Sequence, residues 1–431
     1  MVSGDRDLSM DYDVIVIGAG PAGSATATIL ARAGRRVLVL ERETFPRFKI
    51  GESLIPATFD TLDRLGLIDK LRASHFPKKY SVQFFSGDGR PSTPFYFGET
   101  EPASYAQTWQ VLRSEFDQLL ADNARRHGVE IREGVTVKEV LFEGERAVGV
   151  RVQRSGGELA DLRCRVVADA SGQRAVLARQ LGIRRQDPNL RMAAIFTHFE
   201  GARRDPGIDE GATLVLQTEE HKSWFWYIPL PDDRVSVGVV GPIRHLIQGR
   251  RGDPQRVFEE ELARCPGLVP RIADARQTMD VQVLNDFSCS ADRAAGDGWV
   301  LVGDAFTFLD PIYSSGVLLA FASAELAADA VAAALADGDT SAERLGVYEQ
   351  RMRRGVAAFR KLVYAFYSPE FNFGRFLRRY PEHREPIIKI LVGDVFDRDY
   401  APLFRDVDAY MASAGTTLTR HLEDAVELPV A

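Results

Sequence analysis

Two unbroken apolar runs open the pattern of the chain, Val14-Ile15-Val16-Ile17 and Val37-Leu38-Val39-Leu40. Aliphatic runs without polar alternation belong to strands buried on both faces, as in a parallel sheet. The small-residue stretch from Ala22 to Ala33 between them reads as a helix, giving a βαβ unit through about residue 45. A loop-rich segment follows to about 110, then a helix from Arg113 to His127. Thr136 to Val152 and Leu162 to Ala168 read as strands around the Gly156-Gly157 turn. From about 183 to 290 the pattern shifts to short apolar/polar alternations, Met192 to Phe199, Thr213 to Gln217 and Val235 to Val240, which predict a mostly antiparallel sheet. Trp299 to Val302 is a last buried strand before an Ala-rich helix from Gly316 to about Asp337, with a helical region beyond. The chain thus divides into 1–110, its continuation 111–182, an antiparallel sheet 183–290, a return to the first domain at 291–340, and a helical C-terminal region 341–431.

Composition narrows the class. A chain of 431 residues, 45% hydrophobic and 27% charged, can bury a sizeable globular core. Its net charge of −7 gives no basic footprint for nucleic acid. Cys164, Cys265 and Cys289 are odd in number, widely spaced and outside any metal or redox motif, so they read as unpaired thiols in a reducing compartment. The first ten residues show no charged-then-apolar leader, and no window of about 18 uninterrupted apolar residues occurs, so the expected location is cytoplasmic and not a membrane. The seven histidines have no ligand spacing, and no metal is expected.

The chemistry begins at Gly18-Ala19-Gly20-Pro21-Ala22-Gly23, directly after the first strand and at the start of the first helix. Glycines there allow a tight turn and close approach, so that a dinucleotide diphosphate meets backbone amides and the helix dipole. Glu41 ends the next strand about 20 residues on, placed to accept from ribose hydroxyls, with Arg42 beside it. Two further turns, Asp169-Ala170-Ser171-Gly172 and Gly303-Asp304-Ala305, also follow buried strands. Ligands gather at the carboxyl ends of strands in such sheets, so the three turns converge on one extended cofactor, FAD, with Asp304 accepting from ribitol hydroxyls.

This arrangement resembles the FAD-dependent monooxygenase superfamily typified by hydroxybenzoate hydroxylase, over roughly the first 340 residues. The resemblance implies a Rossmann-type α/β FAD-binding domain interleaved with a mostly antiparallel substrate sheet. It also implies that Arg113, within Val111-Leu112-Arg113-Ser114-Glu115-Phe116-Asp117, contacts the cofactor. Within that superfamily, three signatures resemble flavin-dependent halogenases, especially those acting on pyrrole or phenol rings held on a carrier protein. Trp224-Phe225-Trp226-Tyr227-Ile228-Pro229 fits the pattern W-x-W-x-I-P at every fixed position. Two tryptophans on one face of a strand would fill the space beside the isoalloxazine, excluding an organic substrate and leaving room for a small oxidant. Phe76-Pro77-Lys78-Lys79-Tyr80-Ser81-Val82-Gln83-Phe84 is similar to F-x-x-K-x-G-A-x-F/W, whose lysine is catalytic. The role carries to Lys79, with Lys78 the adjacent alternative, although Ser81 and Val82 stand where the family has Gly and Ala. Asp310-Pro311-Ile312-Tyr313-Ser314-Ser315-Gly316-Val317 resembles D-P-x-x-S-[ST]-G-V, so that Pro311, Gly316 and Val317 adjoin the flavin while Ser315 and Gly316 amides bind halide. Gly51-Glu52-Ser53-Leu54 looks like a further family stretch, with Glu52 and Ser53 as flavin neighbours.

The implied reaction starts from reduced FAD and O2. Chloride, or bromide in its place, attacks the flavin hydroperoxide, and hypohalous acid passes the tryptophans to Lys79, which halogenates an electron-rich ring. A lysine suits this, since its ammonium polarises hypohalous acid and its neutral amine forms a haloamine. One dinucleotide fingerprint implies a separate flavin reductase, and the family resemblance implies an acyl carrier protein bearing the substrate. Alternative readings are a single-component aromatic hydroxylase, an isoprenoid-type flavin reductase and a scaffold without turnover. The aromatic run Phe359, Tyr364, Phe366, Tyr367, Phe371, Phe373 and Phe376 either lines a substrate entrance or packs a helix onto the sheet. Arg375, Arg378, Arg379 and Arg384 form either a carrier dock or a solvated helix face.

Overall fold

The first apolar run becomes the strand Tyr12–Ile17, which pairs in parallel with Val37–Leu40 on one side and Leu159–Asp169 on the other. Glu130–Arg132 and Trp299–Leu301 extend this sheet, again in parallel. In the computed structural model, residues 12–413 are described except 101–104, 155, 249, 251 and 369–370; the first ten residues, on which the absence of a leader was read, lie outside them. Val14, Ile15 and Val16 are fully buried, as an uninterrupted aliphatic strand requires. Helix Pro21–Arg32 packs against the long helix Gly316–Asp337 over this sheet. The long helix is apolar apart from an edge where Glu325 and Asp329 meet Arg64, and so is pulled into the core. It is long and apolar enough to cross a membrane, yet 72% of its most apolar window is buried inside the protein.

One expected strand is two. The stretch read as continuous from Thr136 to Val152 forms the hairpin Val135–Glu143 and Arg146–Arg154, with Glu143 opposite Arg146. Gly144, at φ +62°, begins the two-residue turn, a conformation that suits glycine and matches the twist of the flanking strands.

The second sheet runs Arg276–Gln277, Met192–Glu200, Arg234–Pro242, Trp224–Pro229, Thr213–Gln217, Ser81–Phe85 and Phe95–Tyr96, with Gln282–Asn285 also on Met192–Glu200. It is antiparallel apart from the parallel pair Thr213–Gln217 and Ser81–Phe85. The sheet is therefore wider than the alternation from 183 to 290 predicts, because residues 81–96 of the loop-rich segment supply two strands. Ser81–Phe85 is held by a partner more than 100 residues away and itself holds Phe95–Tyr96, and such short runs carry no periodicity of their own. Its two faces enter different cores. Trp224, Trp226 and Ile228 join the core shared with the parallel sheet, whereas Phe225 and Tyr227 pack with Phe258 and Leu268 in a second cluster. C-terminal helices Glu349–Tyr367, Phe373–Arg379, Arg384–Val392 and Ala401–Ser413 complete the fold. Cys164, Cys265 and Cys289 are buried and unpaired.

Candidate active site

A cleft of about 360 Å³ opens at the carboxyl ends of the parallel strands. Of the residues expected at a cofactor, its wall holds Gly18, Gly20, Pro21, Ala22, Glu41, Arg42, Arg113, Asp304, Gly316 and Val317. Gly18 has φ +98°, and a Cβ there would lie 2.7 Å from the Ala170 carbonyl oxygen, so two of the three turns meet through this glycine. The helix that follows has no side-chain cap, which leaves its first-turn amides for a phosphate. Glu41 is buried and accepts from the Ala19 amide at 2.9 Å and the Glu43 amide at 3.0 Å, tying the glycine turn to the second strand. Arg113 and Arg47 share one buried carboxylate, Asp117: Arg113 Nε and Nη2 donate to it at 2.7 and 3.0 Å, and Arg47 Nη1 at 2.8 Å. Arg42 and Arg174 also line the cleft, and burial together with Arg42 pushes the Arg174 guanidinium below its usual value. Paired cations, capless amides and a glycine cradle fit an extended anionic dinucleotide. Asp304, half-buried on the cleft wall and accepting from Gln173 at 3.2 Å, has its carboxyl raised to about 6 by desolvation.

Other expected cofactor contacts are not on this wall. Gly23 is buried inside the first helix, and the Gly303 amide donates to Ser323 Oγ at 2.9 Å. Asp169 is turned inward, where both carboxylate oxygens accept backbone amides, from Ser171 at 2.9 Å and Leu177 at 2.7 Å. It shapes the turn and is not a cleft residue. Glu52 is buried with its carboxylate oxygens 3.1 and 3.3 Å from His198 Nε2. Pro311 begins the short turn Pro311–Tyr313, behind the cleft residues Gly316 and Val317. Residues missed from sequence include Arg47, Gln173 and Arg174; of the missed Arg113–Asp117 pair, the i,i+4 spacing was a legible signal.

Trp224 and Trp226 do lie on the same strand face, with ring centroids 6.4 Å apart. Gly238 sits opposite Trp226 in the ladder, and a Cβ there would come within 2.3 Å of the indole. The smallest residue therefore makes room for the largest. Trp226 Nε1 donates to Ser236 Oγ at 3.1 Å. Trp224 Nε1 donates to Tyr367 Oη at 2.9 Å, and Tyr367 Oη in turn donates to Asp310 Oδ2 at 3.0 Å. Phe366 adds an edge-on contact to Trp224 at 6.0 Å. The C-terminal helix thus both packs onto the sheet and reaches the tryptophans and the Asp310 turn. Ile228 and Pro229 are buried farther along the strand. Asp310 caps Ile312 through its other oxygen at 3.0 Å, and burial raises its carboxyl to about 7. Ser315 precedes the long helix without a side-chain cap, and Gly316 opens onto the cleft.

Lys79 is 1% exposed, whereas Lys78 points to solvent. Its Nζ donates to Ser53 Oγ at 2.9 Å and to the Leu54 carbonyl at 3.0 Å, and lies 5.5 Å from the Phe97 ring. Burial alone brings the amine down to about 7. A lysine held near neutrality with no counter-ion among the described residues can serve as ammonium or amine at physiological pH. Ser53, read as a flavin neighbour, accepts from this lysine.

Elsewhere, Arg375, Arg378 and Arg379 are exposed, while Arg384 pairs with Glu99 at 2.9 Å. Among the described residues, one group with ligand atoms within 4.8 Å of one another was not foreseen: Glu382, His383 and Asp406, with His383 Nε2 2.7 Å from Asp406 Oδ2.

A family model described as an FAD binding domain matches residues 11–361. The chain is 30% identical over 406 residues to a 1H-pyrrole-2-carbonyl-[peptidyl-carrier protein] chlorinase of Pseudomonas fluorescens, covering 90% of both chains. It is 33% identical over 390 residues to the corresponding brominase of Pseudoalteromonas luteoviolacea, covering 90% of this chain and 93% of that one. Among solved structures, the flavin-dependent brominase Bmp2 superposes with a TM-score of 0.83 at 32% identity, over 93% of this chain and 99% of that one. The myxobacterial chondrochloren halogenase CndH does so at 0.78 and 33%, over 94% and 96%. With likeness of this extent added to a dinucleotide cleft, a tryptophan wall and a buried amine, the chain belongs to the flavin-dependent halogenases and uses FAD as its cofactor.

Proposed function

We propose that this halogenase chlorinates an electron-rich aromatic ring, pyrrolic or phenolic, presented as an acyl group on a carrier protein in secondary metabolism. The observation that carries the reading is the buried amine of Lys79, which meets no counter-ion among the described residues. Reduced FAD, when bound, supplies the electrons by which O2 and halide become a hypohalous oxidant. Gly18, Gly20, Glu41, Arg42, Arg113 and Asp304 would hold that cofactor, all of them on the cleft wall. The amides of Ser315 and Gly316 head the long helix, where its dipole favours an anion, so they receive the halide. Trp224 and Trp226 keep the organic ring from the flavin, and the excluded water protects the oxidant. Lys79 binds the oxidant through its remaining N–H and delivers the halogen to carbon.

The chain carries a single dinucleotide fingerprint, so reduced flavin comes from a separate reductase, and the setting is the cytoplasm. The two pyrrolyl-carrier relatives support a carrier-bound substrate here. The test supplies reduced FAD, O2 and chloride with pyrrolyl-carrier, hydroxyphenylacyl-carrier and the free acids in parallel. A mass gain of one chlorine for hydrogen on a carrier-bound ring is expected. Halogenation confined to a free acid would overturn the carrier assignment.

A further inference from the structure

Three distant segments form a small sheet behind the amine. Lys79 faces Thr108 in one ladder, Ser53 faces Gln110 in a bridge on the other side, and alternation along a strand puts Thr108 and Gln110 on the same face. The face carrying Lys79 and Ser53 meets Thr213, at the start of a strand of the second sheet. Distances form an unbroken series: Lys79 Nζ to Ser53 Oγ 2.9 Å, Ser53 Oγ to Thr213 Oγ1 2.9 Å, and Gln110 Nε2 to Thr213 Oγ1 2.9 Å. Gln110 Nε2 also donates to the Gly211 carbonyl at 2.9 Å, so both its protons are committed and its amide orientation is fixed. All four side chains are at least nine-tenths buried.

A hydroxyl both donates and accepts, whereas an ammonium only donates. When Lys79 is charged, Nζ–H donates to Ser53 and the Ser53 proton turns to Thr213. When Lys79 is neutral, the Thr213 proton turns to Ser53 and the Ser53 proton to the nitrogen lone pair. On deprotonation the N–H bond at the third position, away from the pair, breaks and its proton leaves on that side; the amine then turns about Cε–Nζ so that its lone pair faces Ser53, and two hydroxyl protons rotate, with the reverse sequence on protonation. The Leu54 carbonyl accepts from nitrogen in both states. Charged groups on the surrounding elements are engaged elsewhere: Glu52 with His198, Asp209 with Tyr96 and Ser81, while Lys78 is exposed.

We propose that Ser53 and Thr213, anchored by Gln110, are positioning residues that reverse their hydrogen-bond direction with the protonation of Lys79, keeping its amine on one aim throughout turnover. The proposal rests on Lys79 as the halogen carrier. Without such a pair, a buried lysine would lose a partner each time it changed charge and would turn toward another acceptor.

The experiment compares Ser53→Ala, Ser53→Thr, Thr213→Val and Lys79→Met, assayed by halogenated product per flavin oxidised across pH 5.5 to 9, with FAD affinity measured on each. Ser53→Ala removes an acceptor from the ammonium, and bonds to the charged form are the stronger ones, so the limb of the profile set by Lys79 should move down by about one pH unit. The downward direction holds whether ammonium or amine is the productive form. Product per flavin should fall in Ser53→Ala and Thr213→Val and recover in Ser53→Thr, with FAD affinity unchanged. An unmoved limb and full coupling in Ser53→Ala and Thr213→Val, beside an inactive Lys79→Met, would overturn the relay and leave Lys79 in place. Full halogenation by Lys79→Met would overturn the reading on which it rests. If Ser53→Ala fails to fold, Ser53→Cys and Thr213→Val carry the same comparison.

Discussion

Gly51 lines the FAD cleft, while Ser53 and Leu54 bond the amine of Lys79, so the cleft and the buried side-chain cluster around Lys79, its chamber, meet at one segment, and they are built differently. The cleft is made of backbone: turns at strand ends, uncapped amides and glycines, with arginines paired around Asp117. The chamber is made of side chains from residues 53, 79, 110 and 213, joined by buried hydrogen bonds. A backbone site tolerates changes in its side chains but not in its glycines. A side-chain site fails when one partner goes, since a buried polar group left alone costs its full desolvation. Substitutions should therefore separate the two.

The largest effect is expected from Lys79→Met. Halogenated product should fall at least ~100-fold while FAD binds and reduced flavin is still oxidised, as product analysis beside flavin absorbance would record. Retained product would remove the chamber's role. Gly18→Ala should do the converse. Its methyl would stand 2.7 Å from a carbonyl oxygen at φ +98°, a strain of about 1–3 kcal/mol, so FAD affinity by titration should drop roughly 5–150-fold with the chamber intact.

Gly238→Val tests the tryptophan wall. The new side chain overlaps Trp226 and Phe196, and overpacking costs about 1–3 kcal/mol, visible in denaturant unfolding. The displaced indole should also raise the yield of free hypohalous acid per flavin oxidised. Tyr367→Phe is milder. It takes one donor from Asp310 and one acceptor from Trp224, a loss of about 1–3 kcal/mol in stability, and the Asp310 carboxyl should rise further because the phenol favours its charged form. Unchanged stability and indole fluorescence would show that the C-terminal helix does not brace the wall.

The last comparison is read as a slope, stability against pH. Lys79 is lowered from 10.5 to about 7, so between these values the unfolded chain binds a proton that the folded chain lacks. Stability should thus rise with pH across that window in the wild type relative to Lys79→Met. Asp310 runs the other way. Its carboxyl is raised from 3.8 to about 7, so the wild type should lose stability relative to Asp310→Asn as pH climbs through that interval. Opposite slopes from the two variants, read by denaturant unfolding at several pH values, would check both signs.

Much of the cleft was legible because each part is local. Gly18 to Gly23 and Glu41 are fixed by strand-turn-helix spacing, and the same-face tryptophans follow from the period of a strand. Lys79 was found through its flanking pattern, but its burial was not, since one short strand says nothing of what covers it. At Asp169 the structure adds what the sequence could not show, that the carboxylate caps its own turn, because a carboxylate at a strand end reads alike whether it faces ligand or its own backbone. The hairpin at Gly144 and the two strands from residues 81–96 were missed for want of a periodic signal.

The sequence by itself determined the parallel βαβ frame, the cofactor turns, the paired indoles and the lysine, because each depends on neighbours within a few residues or on a fixed spacing. Tertiary structure alone decided that Ser53, Gln110 and Thr213 converge behind Lys79, that Arg47 and Arg113 share Asp117, and that Tyr367 ties Trp224 to Asp310. Those contacts join residues up to 160 positions apart, and hydrogen bonds between side chains follow from how sheets pack, which no local pattern encodes.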